Sequence, residues 1–225
     1  MQTLVLDVGY TDSQSNLHRE VEIGNRLLGK DLFEIDEHPL AQLKTNREGL
    51  MLSRAITKFG GIKMPVPLAV LQSLDSIDRD DLLDAFNQQE SEGAEGRTAA
   101  VLSDSTLRLR DGIEVEGVVY DIVEFGNRLT AKHYLEADMQ ELDGLRRVFY
   151  LVGAQVSRLS QSEGQATLEG TLNLETMEVM HVSDLYALRG ASEVWRQSFR
   201  RTGSAVRQER NGAGGVRADG GDGQE

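Results

Sequence analysis

The residues best suited to metal binding or acid–base chemistry are four scattered histidines and one acidic run. His18, His38, His133 and His181 show none of the spacings of a metal-binding motif, so surface or helix-capping roles are expected. Five aspartates fall between residues 75 and 84, but a calcium loop also needs a central glycine and a terminal glutamate at fixed spacing. Acids at the start of a helix complement its dipole, and we therefore place this run on a solvated first turn.

The sequence also lacks the motifs of covalent catalysis and of cofactor binding. Cysteine is absent, which excludes thiolate nucleophiles and disulfides and fits a reducing compartment. No nucleophile elbow, zinc-protease helix or dinucleotide-binding glycine pattern occurs. We therefore predict no catalytic, cofactor-binding or metal site, and a protein that is not an enzyme.

The charge balance limits the classes of partner. The formal net charge is −13, so binding to nucleic acid or to anionic lipid would have to overcome repulsion. The N-terminus lacks the basic lead of a signal peptide, and the most apolar stretch, residues 64–71, is too short to span a membrane and contains two prolines. A soluble cytoplasmic protein with no nucleic-acid or membrane partner is expected.

The strongest pattern in the chain is a duplication. The segment Val21–Leu27 returns as Val123–Leu129 with one conservative change, and matches continue at Lys30/Lys132, Glu34/Glu136 and Asp36/Asp138. Such ungapped similarity predicts two copies of one unit. The shared residues Gly24, Asn25, Arg26, Gly126, Asn127 and Arg128 are interpreted as structural, with Arg26 and Arg128 pairing with Asp36 and Asp138 inside their own units.

The first unit is predicted over residues 1–88. Alternating apolar residues in Gln2–Asp7 and Glu20–Leu27 indicate a hairpin, and a short helix follows over residues 30–37. A capping-box pattern at residues 45–48 predicts the start of a helix whose apolar stripe runs to Phe59. Further helices are expected after Pro67 and Asp75.

The second unit is predicted over residues 105–200, after a linker at 89–104. Asp111–Gly112 suggests a hairpin turn between two alternating strands. Helices are expected over residues 131 onward, 145–159 and 184–199, and the glycine-rich, polar segment 201–225 is expected to be disordered. The predicted fold class is α+β: two tandem small units, each a β-hairpin followed by a cluster of short helices, plus a disordered C-terminal tail.

The order of motifs in the second unit resembles a known family. It runs from Leu109–Ile113 through Gly117 and Tyr120–Leu129 to a helix opening on Thr130, and it closes with Val182–Leu185. This order is similar to that of the small tail assembly chaperones of Mu-like and P2-like tailed bacteriophages. The first unit is similar in Phe59–Ile62 and Asp78–Leu82. Members of the family usually have one unit, whereas this chain has two.

The resemblance implies a non-catalytic protein of viral morphogenesis. It would bind the tape measure protein in the host cytoplasm while the tail tube assembles, contact the tail tube protein in some cases, and be absent from the mature virion. Family members are often made in short and frameshift-extended forms, and the segment from residue 202 would suit such an extension.

Five apolar residues are the candidates for contact with this partner. They are Met51, Met64, Leu71, Met177 and Met180, with core packing as the alternative for each. Helix-in-groove binding would suit a long helical partner. Self-association is also left open. Two other functions remain at this point: a permanent structural or adaptor component of a phage tail or related injection machine, and an acidic inhibitor that mimics DNA.

Overall fold

The computed structural model describes residues 2–91 and 98–212, with side chains through residue 199. We call residues 2–91 the first half and residues 98–212 the second half. The first half contains β1 (Gln2–Thr11), β2 (Leu17–Ile23), α1 (Gly29–Glu37), a 3-10 turn (Pro39–Gln42), α2 (Lys44–Ala55), β3 (Ile56–Phe59), α3 (Leu68–Gln72) and α4 (Ser76–Ser91).

The second half repeats this order and adds an edge strand at each side of its sheet. It contains β4 (Ala100–Ser103), β5 (Thr106–Val115), β6 (Val118–Phe125), α5 (Ala131–Met139), α6 (Gly144–Gln155), β7 (Val156–Ser160), β8 (Thr167–Glu169), α7 (Leu174–Glu178) and α8 (Val182–Gly212). The α+β class predicted from the sequence is confirmed.

Two antiparallel sheets carry the fold, one in each half. The first has the order β1-β2-β3, and the second has the order β4-β5-β6-β7-β8. The registers correspond, because Val21 is paired with Phe59 and its counterpart Val123 with Leu159. The repeated sequence segments therefore occupy equivalent positions in the two sheets.

The predicted hairpins form, because their apolar residues alternate in step with the pleat. Val21 and Ile23 are fully buried while Glu22 between them is not. In the turn of the first hairpin, the Asp12 carboxylate accepts the amides of Gln14 at 2.8 Å and Asn16 at 2.9 Å. This local bonding replaces the strand ladder where the chain reverses.

The turn of the second hairpin is not where the sequence predicts it. Asp111 and Gly112 lie inside β5, at an irregularity of its pairing with β6 between Arg108 and Ile113. The chain reverses at Glu116–Gly117, both with positive φ (53° and 78°), which matches the backbone of a two-residue hairpin turn. An Asp-Gly pair favours positive φ in a bulge as well as in a turn, and here it forms the bulge.

Two predicted helices end early, at equivalent points. The stripes that suggested helices to Phe59 and to residue 159 instead divide into α2 followed by β3 and α6 followed by β7. Apolar residues three and four apart fit both arrangements. Strands form here because β3 and β7 provide hydrogen-bond partners for the backbone groups along one edge of β2 and β6. The predicted capping box is also wrong, since α2 begins at Lys44 and its N-cap is Leu43.

The connection between the halves and the last helix also differ from the prediction. Of the linker expected at 89–104, residues 89–91 belong to α4 and Ala100–Ser103 form β4, while residues 92–97 lie outside the described residues. The last helix α8 continues to Gly212, because extending an anchored helix avoids the cost of nucleation. Of the tail expected to be disordered, residues 213–225 lie outside the described residues.

One continuous hydrophobic core serves both halves. It runs from Leu6 through Phe33 and Phe149 to Ala191. The rings of Phe33 and Phe149, which come from α1 and α6, lie 5.7 Å apart between centroids. Burial of these side chains drives the halves together. No helix in the described part of the chain has the length and apolar character needed to cross a membrane.

Candidate functional site

The repeated glycine–asparagine segment forms the same loop in both halves, between β2 and α1 in the first half and between β6 and α5 in the second. The amides of Gly24 and Asn25 both donate to the Ala55 carbonyl at 3.1 Å. Gly126 and Asn127 donate in the same way to the Gln155 carbonyl, again at 3.1 Å. The repeat signature thus ties each loop to the end of a helix, which is the structural role expected of it.

A buried aspartate holds the first half together in a way the sequence did not suggest. Asp78, on the first turn of α4, has no exposed surface. Its carboxylate accepts the amides of Asp7 at 2.7 Å, Val8 at 3.2 Å and Gly9 at 2.7 Å, all on β1. Hydrogen bonds to an ionised acceptor are among the stronger ones in proteins. The prediction of a solvated acidic face is therefore wrong for Asp78.

The second half contains the same carboxylate clamp. Asp184, on the first turn of α8, accepts the amides of Arg110 at 2.8 Å, Asp111 at 2.9 Å and Gly112 at 3.0 Å. Gly112 has a φ of 83°, and a Cβ there would lie 2.9 Å from the Tyr120 carbonyl oxygen. The bulge in β5 turns three successive amides toward one side chain, as the bulge in β1 does.

Burial changes the ionisation of the clamp in the second half. Desolvation raises the pKa of Asp184 to about 6; the nearby Asp111 carboxylate adds to the increase, while hydrogen bonds from the Asp111 and Gly112 amides oppose it. The clamp is therefore sensitive to pH in a mildly acidic range.

The predicted arginine–aspartate pairs inside each unit do not form. Arg26 instead reaches the other half, where its two terminal nitrogens each donate to a carboxylate oxygen of Asp111 at 2.7 Å. Arg128 lies over the ring of Phe199, 4.0 Å from its centroid. The sequence spacing of the two repeats could not show that the halves pack against each other, with Arg26 reaching across their junction and its counterpart Arg128 remaining within its own half.

Asp36 and Asp138 have other partners. The nearest carboxylate oxygen of Asp36 lies 3.6 Å from Arg47, and Asp138 is hydrogen-bonded to Arg147, the counterpart of Arg47. Asp36 also accepts the amide of Leu145, at 2.8 Å, across the junction. The shared aspartates therefore orient the helix that follows them.

A polar cluster surrounds Arg26 at the junction. Arg110 donates to Ser183 at 2.6 Å, and Glu90 accepts the Leu27 amide at 2.9 Å. Burial raises the pKa of Glu90, whereas burial and the nearby Arg26 lower the pKa of His181. These shifts come from desolvation inside the junction, and the cluster holds the two halves in register.

An open groove of about 860 Å³ borders the junction. Its lining combines the loop Gly24–Leu28 and Lys30 of α1 with Arg54, Met64 and His181, so both halves contribute. Its apolar surface comes from Leu28, Met64 and Pro65, and cationic side chains lie around it. Arg54 is paired with Glu34 at 3.3 Å, whereas the side chain of Lys30 is exposed. This groove is the best candidate for contact with a partner.

The five predicted contact residues have different positions in the structure. Leu71, Met177 and Met180 are at most 2% exposed, so the prediction of a partner contact is wrong for them and core packing explains them. Met51 is partly buried against the core, and Met64 lines the groove. Leu28 and His181 also line the groove but were missed, since their contribution depends on how the halves pack.

Within the ranges 2–91 and 98–212, no group of three acidic or histidine side chains is placed to hold a metal ion. His38 caps the 3-10 turn by accepting the Leu40 amide at 3.2 Å, and the ring of His133 accepts the Thr130 amide at 3.0 Å. Comparisons of the chain with protein-family models, with curated proteins and with solved structures gave no match.

Proposed function

We propose that the protein is a non-catalytic tail assembly chaperone of a tailed bacteriophage and that it binds the tape measure protein. The observation that supports this most is the position of the motifs that carry the resemblance. Leu109–Ile113 and Val182–Leu185 meet in the carboxylate clamp of Asp184. The motifs thus describe a fold-determining contact, which a protein of this family would keep.

The first half supports the same assignment through a second clamp. Asp78 opens the motif Asp78–Leu82 and binds β1 as Asp184 binds β5. The Asp-Gly sequence is incomplete in the first half, but Gly9 takes the place of Gly112 with a φ of 80°. A tandem pair of such units accounts for both halves with one evolutionary event.

The groove at the junction is the proposed binding site. Leu28, Met64 and Pro65 give it an apolar floor that suits one face of an amphipathic helix. A methionine adapts its shape to side chains of different sizes, which suits a chaperone that binds along a long, irregular partner. Lys30 at the rim would attract acidic residues on the polar face of that helix.

The chaperone would act in the host cytoplasm and leave before the virion is complete. Quantitative mass spectrometry of purified virions separates this from the alternative, a permanent structural or adaptor component of the tail. A chaperone is expected to be absent, while a stoichiometric amount would support the structural alternative. An inhibitor that mimics DNA would need acids regularly spaced on one surface. Asp75, Asp80, Asp81 and Asp84 are exposed, and salt-dependent binding to a basic nuclease would support this alternative.

The binding site can be tested by affinity purification. The tagged protein is expected to retain the tape measure protein of the same phage, and Met64→Asp is expected to weaken retention at least about tenfold, because it places a charge on the apolar floor. Val194→Asp is the matched control, since Val194 is an exposed residue of α8. Equal retention by both variants would move the site elsewhere, and no retention by the unmodified protein would contradict the proposed function.

A further inference from the structure

Among the described residues, α1 packs across the junction between the halves, whereas its counterpart α5 packs mainly against α6 of its own half. Helix α1 packs against α6, α7 and the start of α8, and the residues that reach across lie on one face of it. Gly29 donates to the Met180 carbonyl at 2.8 Å, Phe33 packs on Phe149, Asp36 accepts the Leu145 amide at 2.8 Å, and Glu37 accepts from Arg146 at 2.5 Å.

Helix α5 is the counterpart of α1, but its equivalent face is uncovered. Aligned through the repeat, the four positions are Ala131, Leu135, Asp138 and Met139, and all are exposed. Leu135 is 58% exposed and Met139 is 75% exposed. In α5 only Ala137 is buried, whereas α1 buries Leu32, Phe33 and Ile35. An apolar face of this size on one short helix indicates a docking surface.

The surface that would receive this face is also open. Asp78 and Asp184 are equivalent positions, so α3 and α4 of the first half correspond to α7 and α8 of the second. Ala55 and Gln155 are also equivalent, so α2 corresponds to α6. The counterparts of the residues that bind α1 then line a pocket of about 190 Å³ in the first half. It is lined by Thr45, Gly49, Leu71, Gln72, Leu74, Ser76 and Arg79.

One difference between the repeats lies in the lining of this pocket. Gly49 is the counterpart of Phe149, whose ring fills the space under Phe33 in the second half. The counterpart of Phe33 on α5 is Leu135. The aromatic pair of the internal junction is thus absent from these two surfaces. A Cβ on Gly49 would lie 2.5 Å from Leu68 Cδ1, so Leu68 occupies part of the space beside the pocket, and Leu135 of α5 is exposed.

We propose that copies of this chain associate head to tail, with α5 of one copy docked in the Thr45–Arg79 pocket of the next. The contact would repeat the internal junction between molecules. The contact is heterologous, because it joins the α5 face of one copy to the pocket of the next. A chain of copies therefore has an unused pocket at one end and an unused α5 face at the other, and it grows until a ring closes or a filament forms.

The intermolecular contact differs from the internal one at the start of the helix. A Cβ on Gly29 would lie 2.1 Å from the Met177 carbonyl oxygen, and α5 has Ala131 at this position. Helix α5 must therefore sit farther from α3 at its N-terminus, and the contact centres on Leu135 and Met139. This proposal does not depend on the proposed function.

Sedimentation of the full chain from micromolar to millimolar concentration tests the association. The mass is expected to increase with concentration, and Leu135→Arg and Thr45→Arg are each expected to raise the dissociation constant at least about tenfold by placing a charge in an apolar contact. Val194→Arg, the matched control, is expected to associate like the unmodified chain. A mass that stays constant at one chain would overturn the proposal.

Mixing the two variants distinguishes a head-to-tail contact from a symmetric one. The Leu135→Arg chain keeps the pocket and the Thr45→Arg chain keeps the helix face, so an equimolar mixture is expected to form a dimer and stop there. A symmetric contact through α5 would be broken by Leu135→Arg alone and would not be restored by mixing. That result would overturn the head-to-tail arrangement.

Cross-linking locates the contact independently. Since the chain contains no cysteine, Thr45→Cys and Met139→Cys can be introduced without background. With a short bis-maleimide, the double variant is expected to give a ladder of oligomers, and either single variant is expected to remain a monomer. Efficient dimer formation by Met139→Cys alone would indicate the symmetric contact and contradict the proposal.

Discussion

Replacement of Asp78 by alanine should destabilise the first half more than any other single change to an acidic side chain in α4. The substitution removes the acceptor of three backbone amides, two of them at 2.7 Å. A buried amide left without a partner costs about 1–3 kcal/mol, so three would cost at most about 9 kcal/mol, and less here because Asp7 and Val8 are exposed residues. Removing a buried carboxylate returns several kcal/mol of its desolvation penalty. We therefore expect a net loss of about 3 kcal/mol in the free energy of unfolding.

Urea denaturation followed by circular dichroism measures this loss. Asp84→Ala is the matched control, since Asp84 is an exposed acid of the same helix and its replacement should change stability by less than about 0.5 kcal/mol. An Asp78→Ala variant within about 1 kcal/mol of the unmodified protein would show that the clamp is a consequence of the fold and not one of its causes.

The other predictions compare the stability effects of substitutions at equivalent positions of the two halves, or concern the pH dependence of stability that Asp184 causes. Arg26→Ala is expected to cost about 2 kcal/mol, because it leaves a buried carboxylate without its bidentate partner, whereas Arg128→Ala should cost less than about 1 kcal/mol in the same denaturation experiment. Phe33→Ala should lower stability by about 3–5 kcal/mol, because Phe33 is fully buried. Leu135, its counterpart in α5, is exposed, so Leu135→Ala should change the stability of the monomer by less than about 0.5 kcal/mol. Equal losses would contradict the assignment of the two helix faces. The folded-state pKa of Asp184 is about 6, above its value in the unfolded chain, so its contribution to stability is present at low pH and is lost as pH rises through 6. A shift of about two pKa units corresponds to about 3 kcal/mol. The free energy of unfolding, measured between pH 4 and 7, should fall by about this amount in the unmodified protein but not in Asp184→Asn. Parallel pH profiles of the two proteins would refute this prediction.

The sequence was most informative about the organisation of the chain. The repeat of Val21–Leu27 as Val123–Leu129 predicted a duplicated unit, and the two segments lie in equivalent strands with equivalent loops. The alternation around Val21 predicted the hairpin, and helix α1 was expected within one residue of its actual start. These features are local, so short-range patterns describe them.

The sequence was least informative where a residue's role depends on a distant segment. Asp78 looks like an ordinary helix N-terminal acid, and only the bulge in β1 turns three amides toward it. The same limit applies to Ile56–Phe59, whose apolar spacing fits a helix until β2 offers an edge to pair with. The Asp-Gly pair at 111–112 could serve a turn or a bulge, and the choice depends on Asp184, which lies far away in the sequence.

The candidate site was the hardest part to predict, because it lies where the two halves meet. Met64 was identified by its residue type, but Leu28 and His181 join the groove only through the packing of α1 against the second half. The spacing within the repeat predicts an Arg26–Asp36 pair, while the structure pairs Arg26 with Asp111. A repeat indicates that two units exist and gives no information about how they pack.

The proposed chaperone function is tested most directly by the soluble fraction of the tape measure protein when it is expressed in the same cell with and without this chain. We expect that the tape measure protein is largely insoluble alone, becomes soluble with the unmodified chain, and is rescued much less by Met64→Asp than by Val194→Asp. A tape measure protein that is equally soluble in the absence of the chain would contradict the account.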